Sequence, residues 1–147
     1  MQIKKWMQHP VQSIKPRDNI EHARSLMVDH HINQIPVVVD KELVGIVTDR
    51  DLRDAYPSVF DIARASGERD DGLAHPEKIE VESVMTSNVL CLESTDSVAD
   101  AAALMKKERI GAVPIVDDGQ LVGILARSDV LAAFISLCEK LPNATSS

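Results

Sequence analysis

Leu43-Val44-Gly45-Ile46-Val47-Thr48-Asp49-Arg50-Asp51-Leu52 is the stretch that decides the reading of this chain. The apolar run from Leu43 to Val47 predicts a buried strand that stops at Thr48 and passes into a helix carrying Asp51. The stretch recurs as Leu121-Val122-Gly123-Ile124-Leu125-Ala126-Arg127-Ser128-Asp129-Val130, at an offset of 78 residues. The same offset relates Pro36 to Pro114, Asp51 to Asp129 and Met7 to Met85. With residues 7–56 laid over 85–134, without a gap, 16 of 50 positions are identical, where ordinary residue usage would give about three. A duplication on this scale predicts two copies of one small unit and an approximate two-fold symmetry.

The elements inside each copy repeat as well. Residues 11–15 and 89–93 alternate apolar with polar and are expected as short strands. Asp18, with Glu21 three residues on, reads as the N-cap of a helix whose apolar face is Ile20, Ala23, Leu26 and Met27. In the second copy Asp96 or Ser97 would cap the matching helix, with Val98, Ala101, Leu104 and Met105 on its face. The apolar runs 35–39 and 43–47 flank Asp40-Lys41-Glu42 and predict a hairpin; the second copy turns at Asp118-Gly119. Pro36 and Pro114 cannot donate to a ladder and belong at a strand start or on an edge. Further helices are expected at about 50–56 and 128–141. The fold class is therefore α+β, an α/β sandwich of two β-α-β-β-α domains. Domain 1 is placed at 1–58 and domain 2 at 81–141. A linker, 59–80, carries a helical turn at 60–65, and a disordered tail covers 142–147.

Composition narrows the function. Hydrophobic residues are 44% of the chain but aromatics only 3%, so the core must be aliphatic. The net charge of −7 argues against a general nucleic-acid or anionic-membrane binder, while leaving room for one small anion in a locally basic pocket. Cys91 and Cys138 read as small buried hydrophobes in a reducing cytosol. His30-His31 resembles a metal pair, but neighbours on a helix point apart, and no other histidine stands at ligand spacing. No apolar run follows Met1-Gln2-Ile3-Lys4-Lys5-Trp6, so neither signal peptide nor membrane span is expected, and the location is expected to be cytoplasmic. Nothing in the chain pairs a nucleophile with a base, assembles a metal set or builds a glycine-rich phosphate loop, so catalysis is not expected.

The pattern Ile-Pro-Val-Val-Val-Asp, a short turn, then Leu-Val-Gly-Ile-Val-Thr-Asp-Arg-Asp-Leu resembles a CBS domain, named after cystathionine beta-synthase. Two copies in tandem resemble the paired unit called a Bateman module, and the first copy is also similar to the CBS portion of acetoin-utilisation-type proteins. The resemblance implies two domains packed sheet to sheet, with two symmetry-related clefts for AMP, ADP, ATP or S-adenosylmethionine. It further implies a homodimer that regulates an unidentified protein target. No resident cofactor is implied; the nucleotide, with or without magnesium, is the regulatory ligand.

The chemistry of the residues suits that implication. A carboxylate at a helix start can accept hydrogen bonds from both hydroxyls of a ribose. Asp51 has that placement, Thr48 adds a hydroxyl, and Arg50 offers a charge for phosphate. By the family pattern Ile46 forms one wall for adenine, and Ile110, Gly111 and Ala112 of the other copy form the opposite wall. The second site departs from the pattern. It keeps Ile124 and Asp129, but Ala126 replaces the threonine, Ser128 replaces Arg50, and the bulkier Ile32, Asn33 and Gln34 face it. The second site is therefore expected to bind more weakly. The competing reading is a ligand-free dimerisation or protein-interaction module, in which Asp51 and Asp129 serve only as acids at helix starts.

Overall fold

A computed structural model describes residues 1–56 and 75–142. The helical turn expected at 60–65, most of the linker, and residues 143–147 of the tail lie outside the described residues. The chain forms two compact units. The first is Gln12–Val89; the second joins Met1–Val11 to Leu90–Ser147.

The first unit holds α1 (Ile20–His30), β1 (Gln34–Val39), β2 (Glu42–Thr48) and α2 (Asp49–Ala55). The strands pair antiparallel through a two-residue turn in which Asp40 and Lys41 both have positive φ, 49° and 71°. That backbone matches the right-handed twist of a hairpin and accounts for the tight connection. The second unit holds α3 (Val98–Glu108), β3 (Ala112–Asp117), β4 (Gln120–Ala126) and α4 (Arg127–Lys140). Its hairpin turns at Asp118 and Gly119, again with both φ positive.

Two expectations are corrected at the edges of these elements. The leading strand of each copy is a single bridge residue, Ile14 opposite Val37 and Leu92 opposite Ile115. Ile14 donates to the Pro36 carbonyl at 3.0 Å and accepts from Val38 at 2.9 Å, after which the chain turns away. The N-cap of α1 is Asn19, not Asp18: the Asn19 side chain accepts from the His22 N–H at 2.8 Å, while Asp18 closes the preceding turn on the Lys15 N–H. With the helix starting one residue later, the Glu21 carboxylate is released from capping and takes the hydroxyl of Tyr56, just past α2. Burial, then that bond, pushes the Tyr56 phenol up to about 12. Ser97 caps α3 in the second copy. Cys91 and Cys138 are free and exposed rather than buried.

The cores show how each unit closes. The first packs Ile14, Ile20, Met27, Ile35, Val37, Val47 and Leu52 with Val81. The second packs Val98, Met105, Val113, Ile115 and Leu125 with Ile3. Ile3 and Val81 are counterparts across the repeat, and each lies fully buried in the core built from the other copy. Burying such a side chain contributes roughly 1.5–3 kcal/mol. Backbone bonds follow the same exchange: Val81 N–H to the Asp18 carbonyl at 2.7 Å, and Ile3 N–H to the Asp96 carbonyl at 2.9 Å. The leader of each copy therefore belongs to the unit formed by its partner copy.

Gly45 and Gly123 admit these leaders. The Ile46 and Thr86 backbones exchange two hydrogen bonds, at 3.0 and 2.9 Å, and Gln8 and Ile124 do the same at 2.8 and 3.1 Å. A Cβ on Gly45 would stand 2.5 Å from the Met85 sulfur and 3.0 Å from the Thr86 carbonyl oxygen; one on Gly123 would stand 2.5 Å from the Met7 sulfur. The close approach that the glycine allows is thus to the chain's own leader. Among the described residues no helix is long and apolar enough to cross a membrane.

Two outcomes follow from this packing. Gly45→Ala is expected to cost about 1–3 kcal/mol by overpacking, measured by urea unfolding; a cost under about 0.5 kcal/mol would mean that Met85 is only draped over the strand. In the second unit the hydroxyl and then the N–H of Ser94 donate to Asp117 and hold its carboxyl below the usual carboxylate range. A depressed folded-state pKa favours folding above the unfolded value, and that contribution is lost as pH falls through the folded value. Asp117→Asn should therefore lie below the wild-type stability at neutral pH and approach it on acidification, read from urea midpoints between about pH 3 and 6.

Candidate functional site

The strand-to-helix junction of the first unit is built by two residues. Thr48 ends β2 in extended conformation and caps α2. Its Oγ1 accepts from the Asp51 N–H at 3.1 Å, and Asp51 Oδ2 accepts from the Thr48 N–H at 2.9 Å. This reciprocal pair is a capping box, which satisfies two backbone donors that the helix itself leaves unpaired. It also fixes the Asp51 carboxylate at the junction. Asp51 Oδ1 makes no hydrogen bond among the described residues, and the Thr48 hydroxyl, which accepts here, keeps its proton to donate.

The surroundings of the junction come from the same unit. Gln34 pairs with Thr48 across the hairpin, and the Asn33 carbonyl accepts from the Asp49 N–H at 2.8 Å. Ile32 is half-buried against the core of this unit. Ile46 is 9% exposed. Arg50 is exposed and makes no ion pair among the described residues; its neighbour Asp49 instead meets Arg53 at 3.6 Å. The guanidinium of Arg50 is therefore available to an anion.

The equivalent junction of the second unit differs. Ala126 N–H donates to Asp129 Oδ2 at 2.7 Å, but alanine has no hydroxyl to return the bond. The Gln8 side-chain amide takes up the rest of the carboxylate: Nε2 lies 3.3 Å from Oδ1 and 3.1 Å from Oδ2. Ser128 is exposed and Ile124 half-buried. Gly111 accepts from the Arg127 N–H at 2.9 Å, Ala112 pairs with Ala126, and Ile110 packs against the core of this unit.

Each hairpin start thus flanks the helix start of its own unit: Asn33 and Gln34 beside Asp51, Gly111 and Ala112 beside Asp129. Neither unit by itself contains the crosswise grouping expected from the sequence. Sequence reading also missed Gln8 and its counterpart Thr86. A signal existed, since both directly follow the identical pair Met7 and Met85, but nothing local shows where a leader docks. Among the described residues no three or more His, Cys, Asp or Glu side chains are placed to hold a metal ion. His31 leaves α1 in the left-handed conformation, away from the helical course of His30.

The CBS domain profile matches residues 3–58 and again 81–136. A Vibrio cholerae protein of the acetoin-utilization (AcuB) type has a similar structure, with a TM-score of 0.75 and 27% identity, over 95% of this chain and 93% of that one. CBSX2, solved in complex with AMP, gives a TM-score of 0.76 and 26% identity over 93% of this chain and 98% of that one. The CBS domain pair of protein MJ0100, solved with 5′-methylthioadenosine and S-adenosyl-L-methionine, gives 0.72 and 29% over 93% and 98%. The duplicated Leu-Val-Gly-Ile strand, the helix-start acid that follows it and the two matched segments together place this chain in the CBS-domain family, as a tandem pair of CBS domains.

Proposed function

We propose that the chain is a non-enzymatic regulatory module that binds an adenosine nucleotide, AMP, ADP, ATP or S-adenosylmethionine, at the Thr48–Asp51 junction. One observation carries the reading: a single rigid capping box leaves both a carboxylate oxygen of Asp51 and a hydroxyl proton of Thr48 unused. A ribose diol donates to the first and accepts from the second. Hydrogen bonds to a charged acceptor contribute about 1.5–3 kcal/mol each. Arg50, unpaired among the described residues, meets the phosphate or the carboxylate of the ligand, and magnesium accompanies a triphosphate. Ile46 lies two residues before the strand end and offers apolar surface to the base. The adenosine ligands of CBSX2 and of the MJ0100 pair support the ligand class. A cytoplasmic location suits two exposed, unpaired cysteines, which persist in a reducing compartment.

Thermal shift with each nucleotide at millimolar concentration tests the proposal, because a ligand that binds only the folded state raises its stability. The wild type is expected to shift with at least one of them. Asp51→Asn keeps an oxygen for the Thr48 N–H and so keeps the cap, but loses the charged acceptor. Its affinity should fall about tenfold to a hundredfold. A wild type that no adenosine nucleotide shifts, or an Asp51→Asn variant that binds as tightly, would contradict the proposal.

A second reading, compatible with the first, rests on α4. Leu131, Phe134 and Ile135 are 57%, 60% and 57% exposed, at the spacing of one helical stripe. An apolar stripe of this kind suits burial against a second copy, which gives a homodimer whether or not nucleotide is bound. Sedimentation should find a dimer for the wild type and a monomer for Phe134→Glu with nucleotide shift retained; a monomeric wild type would contradict it.

A further inference from the structure

We infer that Gln8 occupies the second helix-start acid, Asp129, in the place of a ligand, and that the shorter Thr86 leaves the first acid, Asp51, open. The inference rests on the nucleotide reading above and adds the residue that sets which of the two acids is available.

The comparison is internal to the molecule. Gln8 and Thr86 are counterparts across the repeat, each paired through two backbone hydrogen bonds to the residue after a glycine, Ile124 and Ile46. The backbone therefore presents both side chains from equivalent positions within their own units. Glutamine carries its amide two methylenes out, and Nε2 reaches both Asp129 oxygens, at 3.3 and 3.1 Å. Asp129 Oδ2 also accepts from the Ala126 N–H, so neither oxygen lacks a donor. Threonine carries its hydroxyl on Cβ and makes no hydrogen bond to Asp51, whose Oδ1 stays without a donor among the described residues. A ribose diol can approach Asp51 directly, but must first displace the amide from Asp129. Ala126 adds to the inequality, since it has no hydroxyl to offer in return. The chain thus supplies from its own leader the donor that a ligand would supply.

Exchanging the two residues tests this. Calorimetric titration with AMP, ADP, ATP and S-adenosylmethionine is run on the wild type, Gln8→Thr and Thr86→Gln, each checked for folding by its ligand-free melting temperature. The wild type is expected to show one class of site per chain. Gln8→Thr should add a second class, which persists when Asp51→Asn is combined with it. Thr86→Gln should weaken the first class about tenfold, the loss of one charge-assisted hydrogen bond to the ligand. If Gln8 only pins the leader, Gln8→Thr lowers the ligand-free melting temperature without a new class of site, and Thr86→Gln binds like the wild type; that pattern overturns the inference and leaves the nucleotide reading standing. Absence of heat in every protein, the wild type included, overturns both.

Discussion

The absence of a side chain at Gly45 and Gly123 is the constraint on which the structure depends. It lets Met85-Thr86 and Met7-Gln8 pair closely with β2 and β4, with methionine sulfur 2.5 Å from where a Cβ would have stood. This contact has two consequences at different levels. It seals each core, because the same leader carries Val81 or Ile3 into a fully buried place. It also sets the position of the next residue, which in the second unit is Gln8, whose amide reaches the helix-start acid Asp129. Packing and site composition are therefore coupled through a single backbone approach, and a change in one of the glycines would disturb both.

In the proposed function Asp51 serves two purposes. Asp51 and Asp129 each accept the N–H of the residue three positions before them, which is a stabilising role that needs no ligand. Replacing such an acceptor costs on the order of 1 kcal/mol. The same hold would pre-order Asp51 for the proposed ligand: with the carboxylate fixed beforehand, little ordering remains to oppose binding. The two readings weighed from the sequence, an acid at a helix start and a ligand acid, are thus compatible: Oδ2 accepts the Thr48 N–H, and Oδ1 is the oxygen proposed for the ligand.

Much of the fold was legible in the residues. Apolar runs broken by Asp40-Lys41 and Asp118-Gly119 specify hairpins because their turns need positive φ. The 78-residue offset reveals the duplication. The leader exchange was not legible, because a duplicated sequence does not say which copy a segment pairs with: both choices bury the same residue types. For the same reason nothing local to Gly45 tells that Met85 packs over it. Cys91 and Cys138 sit in apolar stretches, yet both are exposed, since a short bridge and the outer face of a helix do not bury every apolar position. Of the site, Thr48 at the strand end and Asp51 at the helix start were readable from the residues, whereas their reciprocal capping pair and Gln8, 121 positions from Asp129, were not.

In the proposed function Asp51 holds a ribose. A crystal structure grown with the adenosine nucleotide that raises the melting temperature most would test it directly. Ribose hydroxyls are expected within hydrogen-bond distance of Asp51 Oδ1 and of the Thr48 hydroxyl, with the capping box intact. A nucleotide bound with its ribose away from Asp51, or resting on Asp129 while the Asp51 carboxylate stays bare, would contradict it.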